Sequence, residues 1–94
     1  MSSKNRSSQD PERNRAYWRS RRGLLELDLL LPPFVTACYE ELNAAQKRAY
    51  GALLDCDDHD VWDWLQRRSV PPDPDLAALI EVIRAFNDRS GRSV

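Results

Sequence analysis

Two stretches of this sequence bring together residue types that do chemistry. The first is Asp55-Cys56-Asp57-Asp58-His59-Asp60, six consecutive side chains that can each ligate a metal. A calcium loop needs a glycine at its sixth position and a bidentate glutamate at its twelfth. Counting from Asp55, those positions hold Asp60 and Gln66. Zinc needs a second ligand pair at regular spacing, and the one other cysteine is Cys38. Acids ahead of a helix oppose the positive end of its dipole. The run is therefore expected to be a solvated helix start, with no metal ligand assigned. His59 is the chain's single histidine. No nucleophile motif surrounds it, so it is expected as an exposed first-turn residue and no catalytic residue is assigned.

The second stretch is Arg22-Gly23-x-x-Glu26, with Asp28 just beyond. A glycine at a helix junction allows a sharp bend and a close approach by another backbone. A cation and an anion flank that bend. From spacing alone, two readings stay open: a C-cap glycine with solvated neighbours, or a compact polar patch that meets a partner. Upstream, Arg13, Arg15, Arg19, Arg21 and Arg22 surround Tyr17 and Trp18. Arginines beside aromatics can hold nucleic acid, since bases stack on such rings. They equally suit a solvated basic helix docked by its aromatics, or a face for an acidic partner. The charge distribution bears on the choice. Residues 1–22 carry seven basic and two acidic side chains, and residues 23–94 carry seven basic and thirteen acidic ones. A basic arm of +5 on a body of −6 disfavours general DNA affinity.

The elements that must position these residues are short. Ninety-four residues make one domain with a modest core. Two cysteines do not staple it, and both are expected to stay reduced in the cytoplasm. Residues 1–9 are expected to form a disordered basic arm, 10–90 the domain, and 91–94 a frayed tail. Asp10-Pro11-Glu12 has the form of a helix start, with a first helix to about Arg22 packed by Ala16, Tyr17 and Trp18. Gly23 ends it in a left-handed conformation. A leucine-rich second helix follows, with Glu26 and Asp28 together on its exposed side. Pro32-Pro33 is expected to break or kink that helix, because proline lacks an amide donor. Helical spacing resumes through Phe34, Val35, Cys38 and Leu42. Asn43-Ala44-Ala45-Gln46 has the pattern of a capping box. Asp57 or Asp58 caps a short helix in which Trp62 and Trp64 cannot share a face. Asp73-Pro74-Asp75 opens the last helix, with Leu76, Leu79, Ile80, Ile83 and Phe86 on one side. No alternating β-branched run points to a strand. The fold class is all-α: a compact bundle of about five short helices. No apolar run approaches the ~20 residues that span a bilayer, and the start lacks a secretory h-region.

These residues carry a resemblance. Arg21-Arg22-Gly23-Leu24-Leu25-Glu26-Leu27-Asp28 resembles the RGxxE signature of the SdhE family of FAD assembly factors. Leu53-Leu54-Asp55-Cys56-Asp57-Asp58, followed by Asp60-Val61-Trp62-Asp63-Trp64-Leu65, resembles the family's second block. Arg15 and Trp18 fall at family-like distances before the glycine. The likeness covers roughly residues 12–90. It departs in a longer, more basic arm and in the doubled Pro32-Pro33. It implies a five-helix bundle and a non-enzymatic role: binding the flavoprotein subunit of succinate dehydrogenase, or of fumarate reductase, and assisting covalent attachment of FAD to a client histidine. It implies Arg22, Gly23 and Glu26 as client-binding residues, with Asp28, Arg15 and Trp18 beside them. FAD is then the client's cofactor, with none bound stably by this chain. The expected partners include no nucleic acid and no membrane, and the free protein is expected to be a monomer. The competing expectation is a small regulatory, antitoxin-like nucleic-acid binder using the basic first helix.

Overall fold

The computed structural model describes residues 11–91, and within them the chain is five α-helices and one 3₁₀ turn, with no strand. The helices are α1 (Pro11–Arg19), α2 (Leu25–Cys38), α3 (Ala44–Leu54), α4 (Asp58–Leu65) and α5 (Pro74–Arg89), and the turn, Tyr39–Glu41, follows α2. The expected cap at Asp10, the arm and residues 92–94 lie outside the described residues.

Local chemistry sets most boundaries. Asn43 accepts from the Gln46 amide at 2.8 Å while the Gln46 side chain accepts from the Asn43 amide at 2.9 Å, a reciprocal capping box at the start of α3. Asp57 caps α4 through the His59 amide, and Asp73 caps α5 through the Asp75 amide. Arg67, just after α4, carries a positive φ of 62° and turns the chain toward α5.

The core is one apolar cluster. Leu27, Leu30, Leu31, Phe34 and Val35 of α2 meet Tyr50 and Leu53 of α3, Val61 and Leu65 of α4, and Leu79, Ile80 and Ile83 of α5. α5 packs against α2, α3 and α4, and α1 lies on α2. Trp64 is buried and Trp62 half-buried, as their spacing requires.

Four expectations are corrected. α2 runs unbroken through Pro32 and Pro33. Each proline removes one helix hydrogen bond. The apolar stripe on either side of them, from Leu27 to Val35, is buried as one continuous face, and this burial outweighs the loss. α1 stops at Arg19 rather than Arg22: the Ser20 amide still bonds the Ala16 carbonyl, the Arg21 amide tightens onto the Trp18 carbonyl, and the Arg22 amide leaves the ladder for Asp28 Oδ1. Trp18 does not pack into the core. It is 66% exposed, with its ring edge-on to Tyr17 at 5.2 Å. Glu26 and Asp28 do not share a face, since residues two apart point to opposite sides of a helix. Glu26 is exposed and Asp28 is half-buried.

Ser20 and Tyr50 form a buried polar contact, with hydroxyls 2.6 Å apart, that ties the end of α1 to α3. Burial pushes the Tyr50 phenol well up, and the Ser20 hydrogen bond only partly offsets this. A phenol that resists ionisation when folded contributes stability that is complete below about pH 10, its value in water, and is lost as the pH rises above it. Tyr50→Phe is therefore expected to cost about 1 kcal/mol at neutral pH and to flatten the alkaline loss. Urea unfolding at neutral and alkaline pH measures both. Equal alkaline loss in the variant and the parent would contradict this burial.

Candidate functional site

The corner between α1 and α2, residues 20–24, is held from two sides. Ser20 is anchored to Tyr50 of α3. Arg22 reaches across to the turn between α3 and α4. Its Nη1 donates to the Leu54 carbonyl at 2.9 Å, its Nη2 to the Cys56 carbonyl, and its Nε to Asp58 Oδ1. Its side chain is only 11% exposed. The turn suits a cation for two reasons. The last carbonyls of α3 have no partners within the helix and form the negative end of its dipole. Asp58, the first residue of α4, adds a full negative charge. A planar guanidinium can engage all three acceptors at once. On the other side, the Arg22 amide donates to Asp28 Oδ1 at 2.7 Å, which fixes the corner to the first turn of α2.

This bracing leaves the rest of the corner facing outward. Gly23 is exposed, with a φ of 89°, and a Cβ placed there would meet nothing within 4 Å. The internal reason for glycine is thus its left-handed conformation and not crowding. Glu26 is exposed one turn on. Arg21 is also exposed and supplies the outward cation of the corner. Leu25 and Leu29, 68% and 56% exposed, stand one turn apart on the outer side of α2. With Tyr17, Arg21, Pro33 and Phe86 they line an open groove of about 690 Å³.

The six residues singled out from the sequence therefore divide. Gly23 and Glu26 face solvent together at the corner. Arg22 and Asp28 are turned inward and shape it. Trp18 is exposed on α1, and Arg15 lines a separate recess between α1 and α3. Arg21, Leu25 and Leu29 were missed. Their signal is a pair of leucines four apart on the side of α2 opposite its buried stripe. Six leucines in eight residues hide that pattern.

Each acid of the 55–60 run has an ordinary role or is solvated. Asp55 pairs with Arg19 at 2.6 Å, Asp57 caps α4, Asp58 takes Arg22, and Asp60 and His59 are exposed. Among the described residues, no group of three or more such side chains is placed to hold a metal. The Cys56 thiol donates to the Ala52 carbonyl at 3.3 Å, and burial pushes both it and the Cys38 thiol up, away from reactive thiolate. In the basic helix, Arg13 pairs with Glu40 at 3.4 Å, and Arg19 and Arg22 are engaged as above, which leaves Arg15 and Arg21 as its outward cations.

The described residues thus form a small all-α bundle with a braced, outward-facing glycine corner. Comparison with known proteins is specific. Residues 14–87 match the family model described as the flavinator of succinate dehydrogenase. The FAD assembly factor SdhE of Pseudomonas savastanoi pv. phaseolicola is 44% identical over 75 residues, 80% of this chain and 89% of the relative. That of Pseudomonas aeruginosa is 43% identical over 74 residues, 79% and 88% of the two chains. That of Yersinia pseudotuberculosis is 36% identical over 77 residues, 82% and 88%. This chain belongs to the succinate dehydrogenase flavinator family.

Because only backbone conformation demands glycine within the chain, Gly23→Ala is expected to cost about 1–2 kcal/mol. Gly23→Asn should cost less, since asparagine tolerates the left-handed region. Equilibrium urea unfolding compares them. Equal losses for the two would show that positive φ is not the source.

Proposed function

We propose that this protein is an assembly factor that binds the flavoprotein subunit of succinate dehydrogenase and promotes covalent attachment of FAD to it. The observation that carries this reading is the exposed Gly23–Glu26 corner in a chain of the flavinator family. The flavoprotein of fumarate reductase is a second client of the same kind. The factor acts as a monomer in the cytoplasm, and the flavin stays with the client.

The mechanism is contact and not group transfer. Gly23 offers bare backbone on which a client segment can lie without meeting a Cβ. Glu26, exposed and with no ion-pair partner among the described residues, accepts from a client donor as water leaves the interface. Leu25 and Leu29 supply apolar area beside it. Binding favours the client conformation in which the histidine and the flavin's 8α carbon are aligned. Each tenfold preference for that conformer raises its population tenfold relative to the others, about 1.4 kcal/mol. Correct alignment of two reacting groups contributes more than this to a slow step. The bond itself forms between groups of the client.

Truncating one partner of a desolvated polar contact costs ~2 kcal/mol or more, about 30-fold in affinity. Glu26→Ala is expected to weaken client binding on that scale, and Gly23→Arg to block it. With factor below saturation, covalent flavin on the denatured client, read by its fluorescence in a gel, should fall in parallel. Normal flavin yield with either variant would overturn this reading.

A further inference from the structure

We infer that Asp58 is a positioning residue for client binding, acting through Arg22 on a corner that Asp58 itself does not form. This rests on the function proposed above. Asp58 lies 36 residues from Arg22 in the chain, and its Oδ1 receives the Arg22 Nε. The same guanidinium takes the Leu54 and Cys56 carbonyls. Arg22 is thereby fixed at its side chain by the α3–α4 turn and at its amide by Asp28. Gly23, with neither a side chain nor any atom packed where its Cβ would stand, has no anchor of its own. A glycine held at positive φ beside solvent samples many conformations unless its neighbours are fixed. The Arg22–Asp58 contact supplies that order, so the client meets a corner already shaped for it and binding loses less entropy.

Asp58 is well placed for a clean test, because the helix cap of α4 belongs to Asp57. Asp58→Asn is nearly isosteric and leaves that cap in place. Arg22→Lys keeps the charge but loses the fork that engages three acceptors. The probe is the apo flavoprotein subunit of succinate dehydrogenase. Its affinity is measured for the parent, Asp58→Asn, Arg22→Lys, Arg22→Gln and the double variant Arg22→Gln/Asp58→Asn, all well below their unfolding temperatures. Amide hydrogen exchange at residues 21–25 is followed in the free proteins.

Asp58→Asn is expected to weaken client binding about tenfold, the scale of coupling within one hydrogen-bond network. Arg22→Lys should do the same. Exchange at the corner should speed up in both while the core amides of α5 stay protected. The double variant should bind no worse than Arg22→Gln. A purely structural role would lower global protection and leave the affinity of the folded protein unchanged, which would overturn the inference. Additive losses in the double variant would also overturn it, since Asp58 would then act by a route other than Arg22. Failure of the parent to bind the flavoprotein would refute the functional reading instead, and unchanged corner exchange in Asp58→Asn would refute the brace separately.

Discussion

The fold around the exposed corner depends on one guanidinium in one turn. Arg22 leaves the end of α1, crosses to the α3–α4 turn, and meets two backbone carbonyls and the carboxylate of Asp58. The carbonyls at the end of a helix need donors, and a half-buried carboxylate needs a partner. A single planar cation answers both needs and joins three helices at a point where little apolar surface is available. An isolated exposed ion pair contributes little. This one is mostly removed from water and is shared among three acceptors, so its loss would leave several buried groups without partners at once.

The bracing explains how a small domain can present ordered bare backbone at its surface. Side chains make most surfaces, and a bare glycine offers nothing to hold it still. Here the order comes from both sides: Ser20 against Tyr50, and Arg22 against Asp28 and the α3–α4 turn. The signature thus divides its labour between shape and contact. Its arginine faces inward and sets the shape, while its glycine and glutamate face outward. Leu25 and Leu29 continue the outward face along α2, beside the groove. For a surface that binds by contact, rigidity matters as much as chemistry.

Much of the architecture was legible because it rests on local rules. The Asn43 and Asp73 caps, the Asp57 cap offered beside Asp58, the left-handed Gly23 and the buried stripe of α5 all follow from neighbours within four residues. The misreadings share a cause. Pro32-Pro33 predicts a break or kink by a local rule, but α2 runs on as one helix because both halves bury one stripe in a core built by distant helices. α1 ends early because the Arg22 amide leaves the helix ladder for Asp28 in the next helix. Trp18 is apolar by type, yet no other helix comes to cover it.

The residue types and spacing alone determined the fold class, the starts of α3, α4 and α5, and the family to which the Arg22-Gly23-x-x-Glu26 motif points. These follow from period, capping and local pattern, which are properties of adjacent residues. Only the tertiary structure decided which charges at the corner face outward. Arg22 and Arg21 are chemically identical and adjacent, and nothing in their order tells them apart. They differ because the α3–α4 turn, more than thirty residues away in sequence, folds back to offer its carbonyls and Asp58 to one of them and leaves the other in water.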